Sequence, residues 1–320
     1  MNDRTVAVLA GGLSHEREVS LRSGRRLAQA LRGVGMEVVE WDVDANLVAR
    51  LQTSQPDAAI VALHGGEGEN GSVQAVLELL EVPFVGTPAR ACRRVWDKPS
   101  AKAEMAAAGL DTPDWVALPH STFRALGAQA VLDAMVARIG LPMMIKPDQG
   151  GSALGAQVVT EIGDLPSAMV SCLAYADTVL AEQFIEGTEV AVAVVEDAGE
   201  PHALPPVEIR PTGGVYDYTA RYTPGATAFY CPARLDAAVI DRLTETAVAA
   251  HRLLGLRDVS RMDAVVDRDG RVQVLEVNVS PGLTDTSLLP LAARTEGREL
   301  GSVYAGLVEW AIKRVSRETS

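Results

Sequence analysis

The sequence predicts a multidomain protein of the α/β class, and three observations support this prediction. In the N-terminal part, short apolar strands alternate with helical patterns, which is typical of a parallel sheet. Aromatic residues make up only 4% of the chain although 48% is hydrophobic, and this disfavours an aromatic-rich β-sandwich. The 320 residues exceed the length of one typical core, so we expect two or three domains.

The first predicted domain spans residues 1–95 and contains a Rossmann-like parallel sheet. We expect strands at "TVAVLAGG", "MEVVEWDV", "AAIVALHGG" and "VPFVGT", with helices from about Ser20 to Arg32 and over "GSVQAVLELLE". Ligands of such sheets bind beyond the carboxyl ends of the strands. The loops "AGGLSHE" and "HGGEGENG" lie at such ends and are therefore candidate binding loops.

The second predicted domain spans residues 96–183. It begins with a helix over "KPSAKAEMAAAGL", where Pro99 is tolerated because it lies in the first turn. The strands "DWVAL", "LPMMIKP" and "AQVVT" follow, and a glycine-rich segment separates the last two. A helix near Asp164 to Ala176 then leads into the strand "TVLAEQFIEG".

The third predicted domain spans residues 184–320 and is richer in strands. "TEVAVAVVED" and "ALPPVEIRP" precede a polar loop at 213–232, which is too long for a simple connection and is expected to act as a lid. A helix is predicted from about Asp236 to Leu254. Two apolar strands in "RMDAVVDRDGRVQVLEVN" and a helix over "GSVYAGLVEWAIKRV" complete the chain.

The composition restricts the expected partners and compartment. The formal net charge is −13, so neither nucleic acid nor an anionic membrane is an expected partner. Cys92, Cys172 and Cys231 are far apart without a CxxC pair, which predicts no disulfide framework or zinc site and fits a reducing, cytoplasmic compartment. The apolar run in "MNDRTVAVLAGG" is too short for a signal peptide or a membrane span.

The last predicted hairpin carries polar residues on an otherwise apolar strand. Glu276 and Asn278 are two residues apart, so their side chains share a face of the strand. The dipeptide at 269–270, Asp-Gly, favours a two-residue type I′ turn in which Arg268 faces Arg271. The turn therefore predicts the register of the two strands.

Counting outward from this turn places Asp263 opposite Glu276 and Arg261 opposite Asn278, with all four side chains on one face. Two carboxylates in such proximity repel each other unless a cation joins them. Mg²⁺ prefers a few carboxylate oxygens together with substrate phosphates. The sequence therefore favours a metal site, although a solvent-facing hairpin with ordinary charges is the alternative.

The segment "IKPDQGGSALGAQVV" is a candidate phosphate-binding flap. Lys146 ends a strand, and a loop containing Gly151 and Ser152 connects it to the next strand. The pattern is not a P-loop, but the backbone N–H groups of such a loop can cover phosphates. Lys146 and Lys98 are candidate phosphate partners. The alternatives are a simple glycine turn and a solvated lysine at a helix start. Together with the acidic cluster, these features favour a nucleoside triphosphate and phosphoryl transfer.

At this point the motifs resemble those of the D-alanine–D-alanine ligases, which belong to the ATP-grasp superfamily. The resemblance covers essentially the whole chain, and the order of the motifs is more specific than any one of them. The matching segments are "AGGLSHEREVSLRSG", "ALHGGEGENGSVQAVLELL", "PFVGT", "DKPSAK", "IKPDQGGSALG", "YDYTARYTPG", "RMDAVV" and "LEVNVSPGLTDTSLLP".

The resemblance implies an ATP-grasp fold of three domains, in which two α+β domains clamp ATP. ATP would phosphorylate the carboxylate of a first D-alanine, and the amine of a second D-alanine would attack the acyl phosphate to give the dipeptide for peptidoglycan precursors. It also implies two Mg²⁺ ions, with Mn²⁺ as an alternative, on Asp263, Glu276 and Asn278. A homodimer is expected on the same basis.

The resemblance also implies roles for the nucleotide-binding residues. Lys98 and Lys146 would hold ATP phosphates under a flap that contains Gly151 and Ser152. The segment "AEQFIEGTE" matches the adenosine-binding stretch of the family. Its matching residues are Glu182, Gln183, Ile185 and Glu189.

For the substrates, the resemblance implies that Glu16 pairs with the ammonium group of the first D-alanine. Glu16, Ser152 and Tyr222 would form a hydrogen-bonded set that links the N-terminal domain, the flap and the lid. Arg261 and the backbone N–H of Gly282 would stabilise the oxyanion.

The same resemblance places the carboxylate of the second substrate near Ser287, the backbone of Leu288 and Arg221, with His64 in the wall of the site. Plainer interpretations remain open. His64 is equally explained as a hydrogen-bonded structural histidine, and Glu16 as a helix-start carboxylate favoured by the helix dipole. Tyr222, likewise, is explained by packing within its loop.

Three residues depart from the common pattern of the family. Arg221 stands where lysine is common, Ala153 replaces a second serine on the flap, and Asn70 alters the usual Gly-Glu-Asp-Gly form. These changes bear on the choice of second substrate more than on the reaction. The alternatives are therefore a ligase that uses D-serine, D-lactate or another D-amino acid, or a non-catalytic nucleotide-binding regulator on the same scaffold. Tyr222 argues against the D-lactate type.

Overall fold

A computed structural model describes residues 4–223 and 225–318, which form three sheets with helices packed on them. The side chains of Tyr222, Arg317 and Glu318 lie outside this description. Within the described ranges, no helix is long and apolar enough to cross a membrane. The mixture of a parallel sheet and two antiparallel sheets confirms the predicted α/β class.

The N-terminal sheet is parallel and confirms the predicted Rossmann-like element. Its strands are β1 (Thr5–Ala10), β2 (Glu37–Asp42), β3 (Ala58–Val61) and β4 (Phe84–Val85). Their order across the sheet is β2-β1-β3-β4. The helices of this part are α1 (Arg17–Gly33), α2 (Leu47–Ser54), α3 (Gly66–Glu69), α4 (Ser72–Leu79) and α5 (Ala89–Trp96). The side chains of the central strand β1 are almost fully buried because helices cover both faces of the sheet.

The central sheet is antiparallel and carries the glycine-rich segment between two of its strands. Its strands are β5 (Trp115–Pro119), β6 (Met143–Pro147), β7 (Gln157–Val159) and β8 (Thr178–Gln183), in the order β5-β8-β6-β7. The associated helices are α6 (Lys98–Ala107), α7 (His120–Leu126), α8 (Ala128–Ile139) and α9 (Leu165–Leu173). The side chain of Asp97 accepts a hydrogen bond from Ser100 N at 2.8 Å and caps α6 at its N-terminus.

The third sheet holds the remaining strands. They are β9 (Gly187–Asp197), β10 (Glu200–Ala203), β11 (Val207–Pro211), β12 (Thr227–Tyr230), β13 (Val259–Asp267) and β14 (Val272–Asn278). The order is β12-β11-β9-β13-β14, with β10 paired to β9. The helices are α10 (Tyr218–Tyr222), α11 (Ala237–Leu253), α12 (Leu288–Thr295) and α13 (Leu300–Glu318).

The stretch at 213–232 is more ordered than the predicted loop, because it contains both α10 and β12. Asp217 accepts a hydrogen bond from Ala220 N at 2.8 Å and caps the short helix. The segment Thr227–Tyr230 pairs with β11 because its β-branched and aromatic residues suit a strand. The prediction missed both elements because polar turn residues dominate the stretch.

The hairpin of β13 and β14 corrects the predicted turn. Val266 pairs with Val272, and Asp267 N donates to Arg271 O at 3.0 Å. The loop therefore has three residues, 268–270, and not two, and Arg268 does not face Arg271. Gly270 adopts a left-handed conformation with φ of +76°, which closes a turn in which Gly270 N donates to Asp267 O. A three-residue loop of this kind is the usual alternative to the two-residue turn.

A β-bulge in the same hairpin restores the predicted register at the site. The pairing shifts by one residue between Asp263 and Ala264, so Leu275 is the extra residue on β14. Beyond the bulge, Asp263 pairs with Glu276 and Arg261 pairs with Asn278, as predicted. Without the bulge, a three-residue turn would place Glu276 on the opposite face, so two deviations from the prediction cancel.

The last two helices join the N-terminal and third sheets in one core. α13 packs against α1, and the apolar side chains of α12 and α13 fill the space between the two sheets. The members of this cluster include Val8 and Leu27 from the N-terminal part with Val195, Leu289 and Val308 from the C-terminal part. The end of the chain therefore holds the N-terminal sheet beside the strands that carry the polar cluster.

Candidate active site

Two adjoining cavities lie where the three sheets meet. The larger cavity has a volume of about 610 Å³ and lies between the central and third sheets. The smaller cavity has a volume of about 110 Å³ and lies between the N-terminal loops, the flap and the segment after β14. Both cavities are lined by Lys98, Gly150, Gly151, Tyr216, Arg221 and Glu276.

The floor of the site is the polar face of β13 and β14. Arg261 donates two hydrogen bonds to Asp263, from Nε to Oδ1 at 2.6 Å and from Nη2 to Oδ2 at 2.7 Å. Asn278 Oδ1 accepts from Ser280 N at 2.8 Å, which orients the amide at the end of β14. The structure therefore brings the four predicted residues of the hairpin together on one face.

Positive charges surround Glu276. Burial opposes its ionisation, but the charges of Lys98, Lys146 and Arg221 outweigh this effect and lower the pKa of Glu276 to about 2. Lys98 Nζ lies 3.9 Å from Glu276 Oε2 and donates a hydrogen bond to Gly150 O at 2.7 Å. Glu276 is therefore an anion at neutral pH, and Lys98 links the floor to the flap.

The chemistry of the floor fits a hard divalent cation. Asp263, Glu276 and Asn278 offer only oxygen atoms, and each carboxylate oxygen of Asp263 keeps a second lone pair besides the one used by Arg261. No group of three His, Cys, Asp or Glu residues forms a metal site in the part of the chain that the structure describes. Two carboxylates and an amide suit Mg²⁺ when phosphate oxygens complete the coordination.

Glu16 connects the N-terminal loop to the flap. Ser152 Oγ donates a short hydrogen bond to Glu16 Oε1, and a Cβ added to Gly151 would lie 3.0 Å from Glu16 Oε2. Burial raises the pKa of Glu16, although the Ser152 hydrogen bond and the charge of Arg221 oppose this. The predicted pair of Glu16 and Ser152 is therefore in contact, whereas the side chain of Tyr222 lies outside the described part of the chain.

His64 links the N-terminal sheet to the turn after β14. Its Nδ1 lies 3.1 Å from Ser280 O and its Nε2 lies 2.8 Å from Ser23 Oγ. Because a carbonyl only accepts, Nδ1 carries the proton and the Ser23 hydroxyl donates to Nε2. Burial lowers the pKa of His64 to about 4, so the ring is neutral at pH 7. His64 lines the smaller cavity, and its hydrogen bonds are those of a structural histidine.

The segment after β14 forms another wall of the smaller cavity. A Cβ added to Gly282 would lie 2.8 Å from Ser287 Oγ, so only glycine leaves the hydroxyl in place. Ser287 Oγ accepts from Thr284 N at 2.9 Å. Leu288 starts α12 and is buried. Gly282, Ser287 and Leu288 therefore all line this cavity, as does Arg221.

Arg221 lies at the junction of the two cavities, and Tyr216 holds it there. The guanidinium carbon is 4.4 Å from the centre of the Tyr216 ring, and Arg221 Nε donates to Tyr216 O at 3.4 Å. A planar guanidinium stacks on an aromatic ring better than a lysine ammonium does. The sequence prediction did not include Tyr216. An aromatic residue and an arginine within the short segment "YDYTARY" were the available signal for such a stacking contact.

The four residues of the predicted adenosine-binding stretch line the larger cavity. They are Glu182, Gln183, Ile185 and Glu189. Burial raises the pKa of Glu189 to about 7 despite the opposing charge of Arg221. The bulged residue Leu275 contributes an apolar side chain to the same cavity. The cavity therefore combines apolar walls with a few buried carboxylates, as small-molecule sites often do.

Two further residues of the site region were missed by sequence reasoning. Glu69 is buried at the end of α3, and burial together with the charge of Glu16 raises its pKa to about 8. Lys102 lies on α6 and forms an ion pair with Glu182 at 2.7 Å. The four-residue spacing of Lys98 and Lys102 in "DKPSAK", which places both on one helix face, was the available signal.

An antiparallel sheet with a glycine flap, facing a second antiparallel sheet across the larger cavity, defines the chain as an ATP-grasp protein. The family described as "D-ala D-ala ligase C-terminus" matches residues 105–309. The chain belongs to the D-alanine–D-alanine ligase family.

Curated relatives and solved structures agree with this assignment. The chain is 41% identical to the D-alanine–D-alanine ligase of Anaeromyxobacter dehalogenans (strain 2CP-C), over 91% of both chains. It is 39% identical to that of Moorella thermoacetica, over 96% of this chain and 99% of the relative. The crystal structure of the ligase from Bacillus anthracis superposes with a TM-score of 0.84 at 28% identity, covering 98% of this chain and 99% of that chain. The structure of that ligase complexed with ATP has a TM-score of 0.81 at 26% identity, with the same coverage.

Proposed function

We propose that this chain is an ATP-dependent ligase that joins two molecules of D-alanine to D-alanyl-D-alanine, through D-alanyl phosphate, with release of ADP and phosphate. The observation that carries the proposal is the shared wall of the two cavities. Lys98, Arg221 and Glu276 line both of them. A phosphoryl group at this wall would be in reach of a nucleotide on one side and an amino acid on the other.

The larger cavity is the proposed ATP site. Its volume of about 610 Å³ is in the range of small-molecule sites, and a family member has been solved as a complex with ATP. Lys146 and Lys98 would contact the phosphates, and the backbone N–H of Gly151 would cover them, on the flap that also carries Ser152. Adenosine would contact the lining residues between the end of β8 and the start of β9. These are Glu182, Gln183, Ile185 and Glu189.

The floor residues Asp263, Glu276 and Asn278 would hold two Mg²⁺ ions, or Mn²⁺, between the protein and the phosphates. When bound, the ions supply positive charge that neutralises the transferring phosphoryl group. The anionic state of Glu276 supports this role, because its pKa of about 2 keeps an oxygen ligand available without loss of a proton at neutral pH.

The smaller cavity is the proposed D-alanine site. Glu16 would pair with the ammonium group of the first D-alanine, which points its carboxylate at the shared wall. A carboxylate oxygen attacks the terminal phosphorus of ATP, the bond to the bridging oxygen breaks, and ADP leaves. Arg221 is placed to neutralise the charge on the transferred group, because it lines both cavities.

The second D-alanine would bind beside Ser287, Leu288 and Arg221 through its carboxylate. Its neutral amine attacks the carbonyl carbon of D-alanyl phosphate, and the amine proton and phosphate then leave. Arg261 and the backbone N–H of Gly282 would stabilise the oxyanion of the tetrahedral intermediate. Ser287 Oγ accepts from Thr284 N at 2.9 Å and lies 2.9 Å from Thr284 Oγ1, so the two hydroxyls form one hydrogen-bonding group beside the proposed carboxylate position.

We also propose that the chain has three domains, with boundaries near residues 95 and 183. The stretch at 213–232 would act as a lid in which Tyr222 contacts Glu16 and Ser152. The protein would be a homodimer that works in the cytoplasm on peptidoglycan precursors. A lid would exclude water, which otherwise hydrolyses an acyl phosphate.

Product analysis by mass spectrometry tests the function. Purified protein with ATP, Mg²⁺ and D-alanine should give dipeptide, ADP and phosphate in equal amounts, and L-alanine should give none. D-serine and D-lactate added in competition at neutral pH examine the second site. Formation of a D-lactate ester as the main product would favour the alternative substrate, and no D-alanine-dependent release of ADP would contradict the proposal.

A further inference from the structure

Lys102 is a buried lysine on α6 that the proposed reaction does not yet use. Only 1% of its side chain is exposed, and it does not line either cavity. Burial lowers the pKa of Lys102 to about 8, although the negative charge of Glu182 opposes this effect. A buried ammonium is costly unless it is paired, so the position of Lys102 depends on Glu182.

Glu182 is shared between two lysines. Lys102 Nζ lies 2.7 Å from Glu182 Oε1, and Lys146 Nζ lies 2.6 Å from Glu182 Oε2. The carboxylate is 2% exposed and lies at the end of the central sheet, in the wall of the larger cavity. One negative charge therefore faces two positive charges, and the group of three carries a net charge of +1.

Lys102 is also fixed to the strand that carries Glu276. Its Nζ donates a short hydrogen bond to Thr112 Oγ1, and that hydroxyl donates to Val274 O at 2.8 Å. Val274 N in turn donates to Asp111 O at 2.8 Å. These bonds connect α6 to β14 next to the bulge, so Lys102 has a defined place between the central and third sheets.

The charge balance explains why a second lysine is needed. If Lys102 were absent, Lys146 would be the only lysine within ion-pair distance of Glu182 in the described part of the chain, and the pair would be neutral. A phosphate that binds Lys146 would then share this one cation with Glu182 and leave the buried carboxylate incompletely compensated, which is unfavourable. With Lys102 present, Glu182 stays compensated while Lys146 contacts an anion.

We propose that Lys102 is a positioning residue that compensates the charge of Glu182 and thereby keeps Lys146 available for the phosphates of the nucleotide. The inference rests on the proposed function, because it assumes that ATP binds in the larger cavity. Lys102 acts through Glu182 and Lys146 and does not touch the nucleotide.

A double-mutant cycle on ATP affinity tests this role. We expect Lys102→Met to raise the Kd for ATP, measured by calorimetry with Mg²⁺ and without D-alanine, by about tenfold when Glu182 is present. In the Glu182→Gln background the same change should raise the Kd by less than about threefold, because no buried negative charge then competes for Lys146. Each effect of Lys102→Met is measured within one background, so any change in Kd caused by a direct contact of Glu182 with adenosine drops out of the comparison.

Two further variants keep the test decisive. Met105→Ala removes a buried apolar side chain from the same helix without touching Glu182, so it controls for reduced stability and should leave the Kd unchanged. Lys102→Gln carries the same prediction as Lys102→Met if the methionine variant does not fold. Circular dichroism at the temperature of the titration verifies that each variant is folded.

The outcomes separate the inference from the function on which it rests. An unchanged Kd for folded Lys102→Met would overturn the role of Lys102, as would an equal loss of affinity in both backgrounds. Failure of the unmodified chain to bind ATP would overturn the proposed function itself, and the inference with it.

Discussion

Glu69, which is buried, and Glu276, which is partly buried, have opposite charge states at the site, and their neighbours account for the difference. Burial raises the pKa of both. At Glu276 the lysines and arginines around it reverse the effect and lower the pKa to about 2. At Glu69 the charge of Glu16 adds to burial, and the pKa rises to about 8 even though Gly65 N donates a hydrogen bond to Oε1 at 2.9 Å. The residue type alone therefore does not determine the charge in this site.

Glu69→Gln should reduce the pH dependence of stability. Because the pKa of Glu69 is raised from 4.5 to about 8 in the folded chain, the unfolded chain loses this proton first as the pH rises. The free energy of unfolding should therefore fall between about pH 4.5 and 8, and glutamine should remove on the order of 5 kcal/mol of that decrease. Urea unfolding at several pH values measures this, with the exposed neighbour Glu67→Gln as the control. Identical pH profiles for the two variants would reject the protonated state of Glu69.

Glu276→Gln should abolish most of the Mg²⁺-dependent turnover and leave the fold intact. The amide has the same shape but lacks the charge that a divalent ion requires, so we expect kcat to fall by at least about a hundredfold. Steady-state release of ADP measures the turnover, and thermal unfolding measures the fold. The exposed hairpin residue Asp269→Asn is a suitable control because it lies on the same hairpin away from the cavities. Near-normal turnover would reject the metal-ligand role.

At the scale of elements, the hairpin shows what the sequence determines and what it does not. Alternation of side chains along a strand predicted that Glu276 and Asn278 share a face, and the pairing of β13 with β14 confirms this prediction. The turn type and the bulge at Leu275 were not visible, because both depend on how β14 packs between the larger cavity and α11. The register of Asp263 and Glu276 was predicted correctly only because these two deviations cancel.

Elements whose signal is local were predicted best. The strands of the parallel sheet, the helix at Ala237–Leu253 and the helix α6 with Pro99 in its first turn follow from periodicity and capping. The short elements within 213–232 were not predicted, because a cap at Asp217 and pairing with β11 stabilise them against a polar sequence. The spacing of Lys98 and Lys102 was visible in the sequence, but the ion pair of Lys102 with Glu182 was not, because the two residues are distant in the sequence.

Asp97→Ala should destabilise the chain through the start of α6. Asp97 is the N-cap, and its carboxylate accepts a hydrogen bond from Ser100 N at 2.8 Å. Loss of such a cap costs about 1 kcal/mol, so the urea midpoint should decrease. Ser100→Ala is the matched control because Ser100 donates through its backbone, which alanine keeps. An unchanged midpoint for Asp97→Ala would show that the cap does not stabilise the helix.

At the scale of the whole molecule, Asp258 holds the N-terminal sheet against the strand that leads to the floor. It is fully buried and accepts hydrogen bonds from Gly86 N at 2.7 Å and from Arg314 Nη1 at 3.0 Å. Gly86 follows β4, Arg314 belongs to α13, and Asp258 directly precedes β13. These contacts join parts of the chain that are far apart in sequence, which is why no local pattern revealed them.

Asp258→Ala should destabilise the fold strongly. It removes the buried partner of Arg314 and leaves a guanidinium without its carboxylate, which typically costs about 3–5 kcal/mol. A fall in the free energy of unfolding, measured with urea, checks this. Asp285→Ala removes an exposed carboxylate that pairs with Arg26 and should change the same quantity by less than about 0.5 kcal/mol. Similar losses for both variants would argue against the linking role of Asp258.

The central claim is that the two cavities share one wall at which a phosphoryl group passes from ATP to a carboxylate. Transfer of ¹⁸O tests this directly. D-alanine labelled with ¹⁸O in its carboxylate, incubated with ATP and Mg²⁺, should yield phosphate that carries one ¹⁸O per dipeptide formed, because an acyl phosphate takes one carboxylate oxygen with it when phosphate leaves. Dipeptide formed together with unlabelled phosphate would contradict the account.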